Sequence, residues 1–307
     1  DGQLWLDPSN RLWFFVTQEV FPMDAPAITV DTTGAQIHEY AQKYYTDRER
    51  GVWAFTCDHP DAPNPAWSAP VYVCGGHLRN KPIVTQDGRW FLPHYHYRVQ
   101  TGGVYPYSVS EDGGKTWREQ AGPRRSIDTL NFDETMIVEK QNGDLWLLAR
   151  TPKGYIEEHH SPDGGKTWHA KRTLPFAAPC ARFHARRLSN GNLMVISGDL
   201  PRARNRMLAW LSRDHGATWP HSLVLDERDD VSYPDAVEMA DDSLLIIYDH
   251  ERGNRVQQDA RDPNLSHAAK EILSARIAIQ DIVEGRLANS GSYVKRVVSK
   301  GLSGLRR

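Results

Sequence analysis

The sequence predicts an all-β fold, a six-bladed β-propeller of which about five blades are visible. Three observations carry this: a turn motif recurring with a period near 50 residues, a hairpin signal before each copy, and almost no helical patterning. The motif Ser110-Glu111-Asp112-Gly113-Gly114-Lys115-Thr116-Trp117 returns as Ser161-Pro162-Asp163-Gly164-Gly165-Lys166-Thr167-Trp168 and as Ser212-Arg213-Asp214-His215-Gly216-Ala217-Thr218-Trp219. Its tryptophans stand 51 residues apart twice, and a weaker copy, from Asp58 through Pro65 to Trp67, ends 50 residues before Trp117. Asp and Ser accept hydrogen bonds from turn backbone, Gly supplies positive φ, and Trp packs the turn onto its own blade. The motif therefore reads as a structural fastener on the blade edge.

The second repeated element is a turn followed by an apolar strand: Asn10-Arg11-Leu12-Trp13-Phe14, Asp87-Gly88-Arg89-Trp90-Phe91, Asn142-Gly143-Asp144-Leu145-Trp146, Asn190-Gly191-Asn192-Leu193-Met194 and Asp241-Asp242-Ser243-Leu244-Leu245. Turn chemistry with β-rich flanks predicts five hairpins. Only Ser266 to Ala275 has helical character, and Gln18 to Glu49 reads as an inserted loop. One propeller domain, residues 1–307, accounts for the chain, and the sixth, opening blade is expected ahead of Asp1.

The 37 basic and 39 acidic residues leave a formal charge of -2, spread along the chain, which argues against nucleic acid or an anionic membrane as partner. No apolar run is long enough to span a bilayer, so the chain reads as soluble, with a secreted or periplasmic location preferred to a cytoplasmic one. Three cysteines, Cys57, Cys74 and Cys180, without CxxC spacing, read as buried thiols rather than a disulfide framework or zinc site. Oligomeric state is not set by the sequence.

In a propeller the first strand of each blade lines the axis, and its end helps to form the ligand funnel. Counting back nine positions from the second turn residue of each hairpin gives Asp1, Arg79, Glu134, Arg182 and Tyr233; counting back seven gives Gln3, Lys81, Met136, His184 and Asp235. Polar groups gathered where buried strands are normally apolar indicate a binding site. The competing reading, equally weighted for Arg79, Lys81 and His184, is an ion pair that closes neighbouring blades.

The Ser-x-Asp-x-Gly-x-Thr-Trp motif resembles the Asp box of the sialidase (neuraminidase) superfamily. Non-enzymatic propellers also carry Asp boxes, so further segments matter more. Asp133 to Glu139 followed by Asn142 to Arg150 is similar to the sialidase segment with a Glu at one strand start and an Arg at the next strand's end. The resemblance makes Glu134 the partner of the nucleophile and Arg150 one member of an arginine triad. Arg204 to Ser212 is similar to the segment with another triad arginine, Arg204 or, one register on, Arg206. Ser232-Tyr233-Pro234-Asp235 with Leu244 to Asp249 resembles the last blade, which makes Tyr233 the nucleophile. The matches cover roughly residues 130 to 250. The family's first arginine and its aspartate acid/base have no counterpart; Asp47, Glu49 and Arg50 could reach the funnel from the inserted loop.

The resemblance implies an exo-α-sialidase-like glycoside hydrolase acting on a glycan, a sialoside or a related acidic sugar, without metal or organic cofactor. A carboxylate nucleophile would meet like charge on a sugar whose anomeric carbon bears a carboxylate, whereas neutral Tyr233 would not. Tyrosine is a poor nucleophile at its ordinary pKa of about 10, so Glu134 is needed as base. Arg150 and Arg204 would grip the sugar carboxylate, with Arg182, Asp235, His184 and Lys81 as further substrate contacts. Two other readings stay open: a hydrolase or lyase for another ulosonic or uronic acid glycan, with His184 or Tyr233 as the base of an elimination, and a non-catalytic glycan-binding propeller.

Overall fold

The computed structural model describes residues 2–18, 51–95, 104–124, 134–169, 172–251 and 271–300. Twenty strands form five four-stranded antiparallel sheets, each a meander in sequence order. They are Gly2–Leu6, Leu12–Gln18, Gly51–Cys57 and Val71–Cys74 (β1–β4); Ile83–Val84, Trp90–Pro93, Val104–Ser110 and Arg118–Arg124 (β5–β8); Thr135–Glu139, Leu145–Arg150, Ile156–Ser161 and Arg172–Thr173 (β9–β12); His184–Arg187, Leu193–Gly198, Met207–Ser212 and His221–Asp226 (β13–β16); and Val231–Glu238, Ser243–His250, Glu271–Ala278 and Tyr293–Lys300 (β17–β20). These are the blades of a β-propeller, the expected fold class. The inserted loop beyond Gln18, with Asp47, Glu49 and Arg50, and Asp1 lie outside the described residues.

All five predicted hairpins join the first and second strands of their sheets, and the left-handed position recurs at the same place in each: Asn10, Gly88, Gly143, Gly191 and Asp242, with φ between 58° and 87°. Asn and Asp tolerate that region because their short polar side chains bond locally. The backbone pattern repeats as well. Thr85 N donates to Arg89 O at 2.9 Å and Gly88 N to Thr85 O at 2.9 Å, and the same pair of bonds closes the turns at Asp7, Leu188 and Met239.

The Asp boxes join third and fourth strands. In the first, the Ser110 hydroxyl donates to Asp112 Oδ1 (2.9 Å) and accepts from Gly114 N (2.8 Å), while Asp112 accepts from the Thr116 amide (2.9 Å) and hydroxyl (2.6 Å). Asp163 and Asp214 repeat these bonds with Thr167 and Thr218. The threonine bonds above all hold each of the three carboxyls down at about 2. The weak copy occupies the same place between β3 and β4, but there Asp58 pairs with Arg11 at 2.5 Å and Trp67 stays 44% exposed.

The chain divides into two compact units. The first comprises residues 1–139, 143–149 and 159–170, the second residues 140–142, 150–158 and 171–307. In the first, Trp13, Phe15, Trp90 and Leu92 form one buried cluster and Phe91, Tyr107, Ile137 and Leu147 another. In the second, Met194, Ile196, Leu211, Leu244, Ile246 and Ile277 form the core. Each such fully buried side chain contributes roughly 1.5–3 kcal/mol.

The region expected to be helical is corrected. Residues 271–278 form strand β19, since Leu273, Ala275 and Ile277 are buried while Ile272 is 40% exposed, the two-residue period of a strand; residues 266–270 lie outside the described residues. A six-residue helix, Ile279–Glu284 (α1), follows and replaces an Asp box between β19 and β20. Its Asp281, wholly buried, accepts from Ala278 N (2.8 Å), Ala288 N (2.8 Å), Asn289 N (3.1 Å) and Nδ2 (2.7 Å) and the Ser292 hydroxyl (2.5 Å). Burial works against the charge, but these donors outweigh it and hold the carboxyl at about 2. Among the described residues no helix is long and apolar enough to cross a membrane.

Candidate functional site

Meander topology places the start of the first strand, the end of the second and the start of the third at one end of each sheet, with hairpin and Asp box at the other. The sequence-predicted site residues fall at the first end.

In the second unit the site is built around Tyr233. Across β17 and β18, Ser232 pairs with Asp249 and Asp235 with Ile247, so that Tyr233 and Pro234 stand opposite Tyr248 alone. This is a β-bulge, the insertion that bends a strand and re-aims a side chain. Pro234, which has no N–H for the ladder, fits such a position. Tyr233 holds φ at 56°, a conformation disfavoured for a bulky residue and doubly so before proline. Tyr248 serves differently. It is buried and donates to Asp226 Oδ2 at 3.1 Å, and burial, reinforced by the Asp226 charge, pushes its phenol pKa well up. Tyr233, by contrast, is partly exposed.

The Arg204 guanidinium lies over the Tyr233 ring, 5.3 Å from its centroid, and the Arg204 carbonyl accepts from Val231 N at 2.8 Å. Nη1 of Arg204 is buried without a hydrogen-bond partner among the described residues. Arg206 instead pairs with Asp199 at 3.1 Å, so of the two register alternatives it is Arg204 that faces Tyr233. Two residues beyond Tyr233, Asp235 lies 3.3 Å from Nδ1 of His184. Arg150, at the end of β10 and 4% exposed, donates from Nη2 to the Cys180 carbonyl (2.8 Å) and from Nε to its sulfur (3.4 Å). Arg182 is buried just ahead of β13. Cys57 and Cys74 are buried thiols as expected, and burial raises Cys74 to about 12; Cys180 departs from the expectation, being only partly buried in the turn that receives Arg150.

In the first unit Glu134, 1% exposed and one residue ahead of β9, is 3.5 Å from Arg79 Nε. Arg79 also lies over the Tyr95 ring (5.8 Å), and Tyr95 stacks on His77 (5.3 Å) while exchanging backbone hydrogen bonds with it at 2.7 and 3.0 Å. Lys81 is half-buried two residues further on. Tyr95, His77 and Cys180 were not among the candidates. The signal for Tyr95 was the His94-Tyr95-His96-Tyr97 run after an apolar strand, an unusual density of ring side chains. Among the described residues no group of three or more His, Cys, Asp or Glu side chains could hold a metal ion.

A family model described as "BNR repeat-like domain" matches residues 4–246. A sialidase of Vibrio cholerae is 26% identical over 206 residues, covering 55% of this chain and 26% of that protein. A sialidase of Bacteroides fragilis is 25% identical over 210 residues, covering 60% of this chain and 37% of that protein. The chain thus spans about a quarter to a third of the length of these relatives. Among solved structures, the intramolecular trans-sialidase from Ruminococcus gnavus superimposes with a TM-score of 0.57 at 17% identity, over 76% of this chain and 52% of that one. A protein of unknown function from Dyadobacter fermentans superimposes with a TM-score of 0.61 at 19% identity, over 81% and 71%. Blade topology, Asp boxes and a family match over most of its length make this chain a member of the BNR repeat-like propellers of the sialidase superfamily.

Proposed function

We propose that the protein is a sialidase-like glycoside hydrolase that removes a terminal sialic acid, or a similar sugar acid, by a retaining mechanism with Tyr233 as nucleophile. The observation that carries this is the tyrosine held at positive φ in a bulge beneath an arginine. Costly backbone geometry of this kind clusters at functional sites, and a packed core tyrosine has no need of it.

In this reading Tyr233 Oη attacks the anomeric carbon as the bond to the leaving oxygen breaks. A base takes its proton, the role that the sequence resemblance gives Glu134, and water later releases the sugar from the tyrosine. The leaving oxygen takes a proton from a carboxylic acid, the group that the resemblance implies for this step. Arg204, whose buried Nη1 has no hydrogen-bond partner among the described residues, binds the sugar carboxylate together with Arg150 and Arg182, and steadies it as positive character develops at the ring.

The test is a fluorogenic α-sialoside offered to the protein and to Tyr233→Phe. Fluorophore release that falls by more than ~100-fold in the variant supports the reading. Equal release from both removes Tyr233 from the mechanism, and no release from either turns the assignment toward a different acidic sugar or a binding propeller.

A further inference from the structure

We infer that two side-chain clamps, Ser232–Asp249 and His184–Asp235, set the Tyr233 bulge, and that His184 and Asp235 are positioning residues for the nucleophile rather than substrate contacts. This rests on the reading of Tyr233 given above and deepens it.

The bulge is particular to this blade. The pairings of first with second strands are regular in the other sheets: Gly2 to Leu6 against Val16 to Leu12, Ile83 and Val84 against Phe91 and Trp90, Thr135 to Glu139 against Ala149 to Leu145, and His184 to Arg187 against Ile196 to Leu193. Among these five described pairings the register shifts only between Ser232 and Asp235. Regular pairing resumes at once on both sides, with Val231 opposite His250 and Ala236 opposite Ile246. The distortion is therefore confined to Tyr233 and Pro234.

The residues flanking it are the ones with clamps. Ser232, 4% exposed, donates its hydroxyl to Oδ1 of the cross-strand Asp249, 8% exposed, at 2.6 Å. Asp235 directs Oδ1 to its neighbour's amide, Ala236 N, at 3.0 Å, and Nδ1 of the buried His184 reaches the same oxygen from β13 at 3.3 Å. A residue before proline favours extended backbone. Without support at its two edges, the segment would relax toward it, and in a strand of period two that turns the Tyr233 side chain toward the other face. One clamp ties the bulge to its own sheet and the other ties it to the neighbouring blade of the same unit. Oδ1 of Asp235 and Nδ1 of His184 stand at ion-pair distance, so the His184 ring faces Asp235 from the neighbouring strand group.

The variants Ser232→Ala, Ser232→Thr and His184→Gln test this by kinetics on the α-sialoside, thermal melting and crystal structures. Expected are a fall in kcat of about 10- to 100-fold in Ser232→Ala and His184→Gln with KM unchanged, since displacement of a reacting group by about 1 Å costs that much, and recovery in Ser232→Thr, which keeps the hydroxyl. The crystal structures of folded Ser232→Ala and His184→Gln are expected to show Tyr233 at negative φ. Retention of positive φ in both variants overturns the inference, as does a rise in KM without loss of kcat in His184→Gln, which would mark a substrate contact. Should the protein lack sialidase activity, the φ of residue 233 still decides, so the clamp inference and the functional reading fail separately. If Ser232→Ala does not fold, His184→Gln supplies both readouts.

Discussion

Gly88 and Gly114 share a backbone conformation, φ of 83°, and differ in what surrounds them. A Cβ built on Gly88 meets nothing within 4 Å; one built on Gly114, in the first Asp box, would lie 2.7 Å from both Trp13 and Trp90 and 3.1 Å from a further Trp13 atom. Alanine at either site takes on the left-handed penalty of about 1–2 kcal/mol. At Gly114 it must also displace indoles that are 5% and 6% exposed and packed edge to face at 5.4 Å, with Trp5 a further 4.8 Å from Trp90. Overpacking in such a core adds about 1–3 kcal/mol. The expected losses are therefore about 1–2 kcal/mol for Gly88→Ala and about 2–5 kcal/mol for Gly114→Ala, read from urea midpoints at constant m. Activity per folded molecule is expected to be unchanged in Gly114→Ala, because the box fastens the end of its sheet opposite the site residues. Equal losses at the two positions would refute the packing argument, and lost activity in the folded variant would refute the fastener role.

The Asp112, Asp163 and Asp214 carboxyls titrate at about 2 in the fold against about 3.9 unfolded. The unfolded chain thus binds protons first, and the boxes' contribution is complete above about pH 4 and lost as pH falls toward 2; urea midpoints across that range are expected to decline less steeply in a triple Asp→Asn variant. Asp281→Ala leaves five donors around a buried site unsatisfied and is expected to cost about 3–5 kcal/mol or to prevent folding, as read by thermal melting. Arg79→Met strands the Glu134 carboxylate and is expected to cost about 3 kcal/mol, much of it recovered in Arg79→Met/Glu134→Gln; an additive double variant would deny the pair. Arg204→Lys loses the planar fork over Tyr233 and is expected to raise KM about tenfold with folding intact, checked by kinetics beside circular dichroism.

What the sequence showed was governed by repetition. The hairpin turns at Asn10, Gly88, Gly143, Gly191 and Asp242 and the boxes at Asp112, Asp163 and Asp214 solve the same local problem several times, so one chain shows them without an alignment. Counting from those turns brought Arg79, Glu134, Arg182 and Tyr233 to the end of their sheets away from the turn, although the first strands themselves run from two to eight residues. Single events were harder to see. Helical character assigned to Ser266 to Ala275 lost to the alternation of Leu273, Ala275 and Ile277, which strand pairing with β18 and β20 enforces. The Tyr233-Pro234 dipeptide inside a strand pattern was a legible bulge signal. Its consequence, a left-handed tyrosine beneath Arg204, depends on the contacts Ser232–Asp249, Arg204–Tyr233 and His184–Asp235, which join residues 17, 29 and 51 positions apart in the chain. The Arg150–Cys180 contact likewise joins segments with no shared periodicity.

The meander explains why stability and chemistry can be separated in such a chain. Repeated turns occupy one end of each sheet, where Gly and Asp satisfy backbone locally: the hairpin recurs in all five described sheets and the full Asp box in three. At the other end the connections differ from blade to blade: eight residues from Asp199 to Arg206, four from Glu227 to Asp230, ten from Leu174 to Phe183. No common turn constrains them, so arginines, Glu134 and Cys180 can be placed there without disturbing the ladder. Tyr233 is the exception, since it sits within the paired region of β17 and reaches its position by breaking the register. A residue on a loop can drift with the loop, whereas one in a bulge is held by hydrogen-bonded strand on both sides. Under the proposed function, Tyr233 in the sheet and Arg204 on the neighbouring connection give the rigid position to the group whose geometry decides the bond-forming step.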